Sequence, residues 1–250
     1  MDTITALAMT NHGHFSTMRV EHSLVRGLSL HLARLQRDCR TVFDTELDVD
    51  EVRARLREAA AGGPDPITVR VTVFDPLLGL ERPGAEAGPQ LLVTTRPAAA
   101  SAAPPLRLRT ARHLREVPAV KHTGLFGALH ERSLAQRDGF DDALFTDGSS
   151  AVAEGPTWNI GFFDGTRLVW PAADVLPGVT MALLRHHHSG PQCTEEVGVG
   201  RLSGMAAAFA TNSSFGIRPI ASIDDVEYDS GHAVLDALRK EYGDISPESL

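Results

Sequence analysis

Cysteine is nearly absent from this 250-residue chain: Cys39 and Cys193 are the two it has. Their spacing fits neither a zinc site nor a disulfide framework, so a reducing compartment, the cytoplasm, is the expectation. Long apolar runs are missing too. No stretch approaches the ~20 residues needed to span a bilayer, and Met1-Asp2-Thr3 carries no basic segment of the kind that opens a signal peptide. Lysine and arginine number 24 against 32 acidic residues, a net charge of −8 with no long run of either sign. That speaks against a nucleic-acid or anionic-membrane surface, because both demand clustered cations. What is present is an ordinary globular balance, 42% hydrophobic and 22% charged, on a chain long enough for two domains.

Residues 4–10 and 16–21 read as strands around an Asn11-His12-Gly13-His14 turn. Leu28, Leu32, Leu35, Cys39 and Val42 then recur at helical spacing, with Ser29 as N-cap and Arg34 on the flank of the stripe. Val49, Val52, Leu56 and Ala59 predict a second helix ending at Gly62-Gly63. Residues 67–74 alternate with apolar side chains at odd numbers, which turns Arg70 to the opposite face. Residues 90–95 are another strand, and the Gly- and Pro-rich stretch 75–89 between them is a loop. The Pro/Ala segment 97–105 separates an N-terminal domain, 1–96, from a larger one, 106–250. Beyond it the pattern predicts strands at 106–109, 143–146 and 151–153, and a helix over 125–137. A hairpin follows about Asp164-Gly165, then a helix from Gly178, strands at 206–211 and 216–220, and a closing helix through Val234 and Tyr242. The order indicates a mixed α/β (α+β) fold and not a regular βαβ series.

Five places are candidates for chemistry. Lys121 follows an extended segment with neutral neighbours and precedes a helix; both circumstances favour the deprotonated amine of a Schiff-base lysine. On local sequence alone a surface lysine is the simpler reading. Glu154 ends a strand before Gly155-Pro156. There it is equally a solvated turn residue or a carboxylate set against a protonated ring nitrogen. Pro177-Gly178-Val179-Thr180 offers free N–H groups at a helix start with a hydroxyl beside them, an arrangement that binds phosphate and also opens many ordinary helices. Ser213 and Ser214 form a second set of hydroxyl and N–H donors. Arg34 offers a forked cation, or else a solvated helix flank. His186-His187-His188 point in three directions on a helix, so no metal site is expected there. His12 and His14 flank a glycine and either line a pocket or shape a turn.

Taken in order, these segments resemble the class IV aminotransferases, the fold-type IV pyridoxal 5′-phosphate (PLP) enzymes. That family includes branched-chain and D-amino acid aminotransferases and aminodeoxychorismate lyase. His31-Leu32-Ala33-Arg34-Leu35 resembles the helix motif whose arginine meets the phosphate. Val120-Lys121-His122 resembles the internal-aldimine lysine segment, and Gly139 to Phe145 the stretch before the acidic motif. Glu154-Gly155-Pro156-Thr157-Trp158-Asn159 is similar to the E-G-x-x-x-N motif whose glutamate pairs with the pyridine nitrogen. Leu176 to Thr180, and Thr211 to Ser214 with Gly216 to Ile220, resemble the two phosphate-cup segments.

The resemblance implies a small N-terminal α/β domain, a larger pseudo-barrel domain carrying the lysine, and a homodimer. It also implies an aminotransferase moving an amino group between an amino acid and a 2-oxo acid. A β-eliminating lyase of the aminodeoxychorismate type is the alternative, and a non-catalytic relative the second. Lys121 would be catalytic. Arg34, Glu154, Gly178, Val179, Thr180, Ser213 and Ser214 would bind the cofactor, and Arg19, Arg70 and His12 would face the substrate. Met181 stands where the family usually has arginine, and Phe126 where branched-chain enzymes have tyrosine, which removes a hydroxyl donor.

Overall fold

The computed structural model describes residues 3–98 and 103–250. In chain order the elements are α1 (Thr3–Thr10), β1 (His14–Val20), β2 (Leu24–Val25), α2 (Leu28–Phe43), α3 (Val49–Ala60), β3 (Ile67–Phe74) and β4 (Gln90–Pro97). Next come β5 (Leu106–Arg112), α4 (Phe126–Arg137), β6 (Asp142–Thr146), β7 (Glu154–Gly155), β8 (Trp158–Phe163), β9 (Leu168–Pro171) and α5 (Val179–His187). Then follow β10 (Gln192–Glu195), a 3-10 turn at Val199–Gly204, β11 (Ala207–Asn212), β12 (Gly216–Ile223), β13 (Val226–Glu227), α6 (Ala233–Asp244) and β14 (Glu248–Ser249). The mixed α/β class expected from the sequence is the one observed.

Two compact units form. Unit 1 gathers Met1–Ala99, Val120–Leu125 and Ser246–Leu250; unit 2 gathers Ala100–Ala119 and Phe126–Ile245. The division therefore does not follow chain order. The sequence places everything after 106 in the second domain, yet the segment holding Lys121 packs in unit 1. Of the expected linker 97–105, residues 99–102 lie outside the described residues.

Unit 1 is a three-stranded antiparallel sheet in the order β1-β3-β4. The odd residues of β3, Ile67, Val69, Val71 and Val73, pack with Leu28, Leu32 and Leu35 of α2 and Val52 and Leu56 of α3 in one apolar cluster. The period-2 pattern of β3 and the stripes of both helices thus meet as expected. Two local expectations fail. Residues 4–10 form α1, where Ala6, Leu7, Ala8 and Met9 favour helix over strand and Thr10 Oγ1 donates back to the carbonyl of Ala6 at 3.2 Å. And α2 begins before Ser29, after Gly27 in the left-handed region at φ 74°. Its first turn is satisfied from afar instead: the Ser29 N–H and hydroxyl donate to the Glu248 carboxylate at 3.0 and 3.1 Å. A carboxylate at a helix N-terminus also meets the positive end of the macrodipole.

Unit 2 is one sheet of nine strands with the path β10-β9-β8-β11-β12-β5-β6; β13 pairs with β12 and β7 with β8. The hairpin expected about Asp164-Gly165 is the β8–β9 pair, with Phe162 opposite Val169. Ala151 and Val152 make isolated bridges to Gly198 and Thr146, and residues 151–153 are not a strand. The short β7 falls immediately after them.

Candidate active site

Candidate functional groups occur in both units.

In unit 1, Lys121 is half-buried, not the fully solvated lysine that its local sequence also allowed. Its backbone is fixed on both sides. The Lys121 carbonyl accepts from the Phe15 N–H at 2.8 Å, and its own N–H donates to Asp38 Oδ2 at 2.9 Å. Thr123 extends the pairing, its N–H donating to the Gly13 carbonyl at 2.9 Å. Asp38 is fully buried on α2 and also accepts from Arg37 Nε and Nη2 at 3.0 and 2.7 Å. One carboxylate therefore ties the lysine segment to the helix that carries Arg34.

Because side chains alternate along a strand, Phe15, Thr17 and Arg19 share the face of the sheet opposite the helices, and Arg70 joins them as the partner of Thr17. The Arg70 guanidinium stacks on the Phe15 ring, 3.6 Å from its centroid, and Lys121 Nζ sits 4.9 Å from the same centroid. Two cations on one aromatic ring lie within the sum of those distances of each other. Burial pulls the Arg70 pKa down from its usual value. Arg19, further along this face, pairs with Glu21 at 3.4 Å. His12 is half-buried with its ring edge-on to Phe43 at 5.5 Å, a packing contact.

Arg34 lies inside the fold: it is 5% exposed, so the solvated-flank reading is replaced by a buried one. Its Nη2 donates to Ser16 Oγ at 2.6 Å and lies 3.2 Å from His31 Nδ1. His14 is also fully buried, and neither ring nitrogen finds a hydrogen-bond partner among the described residues. Burial lowers its pKa to about 4, against an opposing pull from Asp38.

In unit 2, Glu154 is 4% exposed, which replaces the solvated-turn reading. It faces Asn159 across the β7–β8 pair. A Cβ on Gly155 would come within 2.1 Å of the Trp158 ring, so only glycine lets the indole lie against this turn. The indole N–H donates to Asp142 at 2.8 Å, and Asp142 is held by both nitrogens of the Arg132 fork at 2.9 and 2.8 Å. Glu154 Oε2 accepts from the Leu176 N–H at 3.2 Å and from Asn159 Nδ2 at 3.3 Å; Asn159 Nδ2 in turn donates to the Leu176 carbonyl at 2.8 Å. Glu154, Asn159 and Leu176 thus close a ring of hydrogen bonds.

That ring delivers the chain to α5. Gly178 is the N-cap residue and supplies no side-chain cap; a Cβ there would stand 2.1 Å from Asn159 Oδ1. Thr180, in the first turn, is 1% exposed, and its hydroxyl has no hydrogen-bond partner among the described residues. A buried hydroxyl beside uncapped helix N–H groups is an unspent donor set. Thr211, buried on β11 opposite Asn159, adjoins the same cluster. Ser213 and Ser214 are half-buried in the β11–β12 turn. The Ser214 N–H is taken up by Asn212 Oδ1 at 2.9 Å, which leaves its hydroxyl as the available group. Met181 packs in an apolar cluster with Trp170, Leu184 and Phe209, so its place is filled by core packing. Phe126 is exposed and stacks on His130 with centroids 5.8 Å apart. His186 and His187 are exposed, and His188 bonds Glu241 at 2.8 Å.

Sequence reasoning passed over Ser16, Asp38 and the Arg132–Asp142 pair, and quoted His31 without giving it a role. One signal was available. His31 and Asp38 each precede a stripe residue of α2, Leu32 and Cys39, and the edge of an apolar stripe is where a polar side chain is buried if partners satisfy it, although the partners themselves are not local.

Comparison with known proteins bears on family and fold. The sequence pattern of the family described as amino-transferase class IV matches residues 13–223. A Rickettsia felis protein described as a probable branched-chain-amino-acid aminotransferase is 31% identical over 129 residues, 48% of this chain and 44% of that protein. The chain thus aligns with less than half the length of that relative. The 4-amino-4-deoxychorismate lyase of Pseudomonas aeruginosa superposes with a TM-score of 0.79 at 25% identity, covering 94% of this chain and 91% of the lyase. The branched-chain amino acid aminotransferase of Escherichia coli superposes with a TM-score of 0.86 at 18% identity, covering 100% of this chain and 90% of its own, a likeness of fold.

Proposed function

The chain belongs to the class IV amino-transferase family, and on that premise we propose that it is a PLP-dependent aminotransferase acting between an amino acid and a 2-oxo acid. Bound PLP would supply an electron sink for a carbanion at the substrate α-carbon. The residues present fit such a group. The uncapped start of α5 and the partnerless Thr180 hydroxyl suit a phosphate dianion, and Val179, Ser213 and Ser214 would complete that cup. In unit 1, Arg34 would offer a guanidinium to a phosphate. Glu154 would hold a proton on the ring nitrogen, its carboxylate aimed by Asn159 and the Leu176 N–H.

Lys121 Nζ would hold the cofactor and, once the substrate amine displaces it, carry the proton to and from the α-carbon. Arg70, beside Lys121 on the Phe15 ring, would orient a substrate carboxylate, with Arg19 further along the same face. We assign the protein to the cytoplasm, which suits its two free cysteines, and to a homodimer. Exposed Leu114, Val117 and Leu129 are apolar side chains that association would cover.

The observation that carries the reading is the closed Glu154–Asn159–Leu176 ring. From one contiguous stretch it presents both a buried carboxylate and an uncapped helix start. The test is direct. Protein purified with PLP should absorb visible light, and borohydride should fix the label on Lys121; protein that stays colourless with added PLP overturns the reading.

The likeness to the P. aeruginosa lyase, at 25% identity over nearly the whole chain, supports a second reading: β-elimination on the same residues. An amino acid added without a 2-oxo acid decides between them. Transamination leaves the pyridoxamine form of the cofactor, whereas elimination returns the starting spectrum.

A further inference from the structure

We propose that Ser16 and His31 are positioning residues for Arg34, aiming its guanidinium at a phosphate monoester. The proposal rests on the reading of Arg34 as a phosphate contact and adds what holds it there.

Ser16 lies on the helix-facing side of β1, in alternation with Met18 and Val20, and His31 and Arg34 stand three residues apart on the inner face of α2. Ser16 and His31 are fully buried and Arg34 nearly so. Arg34 Nη2 donates to Ser16 Oγ at 2.6 Å, and Ser16 Oγ lies 2.8 Å from His31 Nδ1. Arginine has no acceptor, so the serine oxygen must take the guanidinium proton. Its own hydroxyl proton is then left for His31 Nδ1, which has to be bare.

His31 is held in that state. Burial, and then the positive charges of Arg34 and Lys121, push its pKa well below the ordinary histidine value, so the ring is neutral with its proton on Nε2. The chain of bonds runs one way, from Arg34 through Ser16 to His31. Neither Ser16 nor His31 carries charge, so these bonds orient the cation without neutralising it. Serine and histidine at these two places do what neither alkyl residues nor a carboxylate could: they fix the fork without themselves supplying a countercharge.

The test compares PLP with pyridoxal, which lacks the phosphate. Dissociation constants for both are measured by absorbance titration on the full chain, with the thermal shift given by inorganic phosphate as a second readout. Ser16→Ala and His31→Leu should each weaken PLP on the order of tenfold, leave pyridoxal unchanged and reduce the shift from phosphate. Saturating PLP should restore kcat. Ser16→Thr and His31→Asn, which keep a hydroxyl and an acceptor, should stay near the parent, and they carry the test if the harsher variants lose their circular dichroism. In an Arg34→Ala background, Ser16→Ala should cost nothing further. Equal weakening of PLP and pyridoxal, or an undiminished preference for PLP in Ser16→Ala, overturns the proposal. If Arg34→Ala itself keeps the parent's preference for PLP over pyridoxal, then it is the phosphate role of Arg34 that fails.

Discussion

Unit 1 assembles its candidate groups from far-separated segments, whereas unit 2 builds most of its share from one run of chain. In unit 1, Arg34 meets Ser16, Lys121 meets Asp38, and Arg70 and Lys121 share the Phe15 ring, through two strands, a helix and a returning segment. In unit 2, Glu154, Asn159, Leu176 and Thr180 lie within 27 residues, closed by side-chain bonds to the local backbone. The units also differ in charge. Unit 1 offers cations whose supports are a serine, a histidine and a buried aspartate. Unit 2 offers a carboxylate and hydrogen-bond donors.

The sharpest way to break this comparison is to remove one reactive group from each unit. Lys121→Ala should abolish turnover while the circular dichroism stays that of the parent; activity near the parent's would rule the lysine out. Glu154→Gln should still bind PLP but lose roughly 10²-fold in kcat, about 2.7 kcal/mol, because an amide no longer holds the ring nitrogen protonated. A glutamine variant as fast as the parent would take Glu154 out of that role.

The supports come next. Asp38→Ala strips the partner from the Lys121 N–H and from Arg37, and should cost roughly 2–3 kcal/mol in urea unfolding. A loss within experimental error would mean that the carboxylate does not tether the lysine segment. Gly178→Ala pushes a methyl toward Asn159 Oδ1 and should displace the Glu154–Asn159 pair, at about 2 kcal/mol. An Asn159 that keeps its bonds in a structure of that variant would show that the turn tolerates the methyl.

The smallest effect is electrostatic. His14 and His31 have pKa values lowered below 6.5 by burial, His14 to about 4. Above pH 6.5 both are neutral, folded or unfolded, and cost nothing. As pH falls from 6.5 toward 4 the unfolded chain takes up protons that the folded chain refuses. Unit 1 should then lose up to about 1.4 kcal/mol per histidine per pH unit. The depressed carboxylates of unit 2, Asp147, Asp164 and Glu195, matter only below their unfolded values of 3.8 and 4.5. Both tryptophans, Trp158 and Trp170, belong to unit 2. Unit 2 has one histidine lowered by burial in the same way, the half-buried His113, against two fully buried ones in unit 1. Hydrogen exchange in α2 should therefore quicken more between pH 6.5 and 4 than tryptophan fluorescence moves; an equal change would erase the distinction.

The same contrast explains how much could be read from the chain. The acidic turn and the helix start at Gly178 were legible, since glycine, proline and strand periodicity signal local geometry. The burial of Arg34 was not. Periodicity put it beside the apolar stripe, and nothing local reveals that Ser16 and His31 await it. The start of α2 was misplaced for a similar reason, because its cap is Glu248, at the far end of the chain. The strand expected at residues 4–10 failed on weak alternation, with helix formers deciding the outcome.

The return of Val120–Leu125 to unit 1 means that no single cut of the polypeptide separates the units. A fragment stopping at residue 98 would lack the segment that occupies the Phe15 N–H and the Gly13 carbonyl. It would leave behind the amine on which the proposed chemistry turns. Protease nicking between β4 and β5 should therefore yield two pieces that stay together until denatured, neither of them a finished domain.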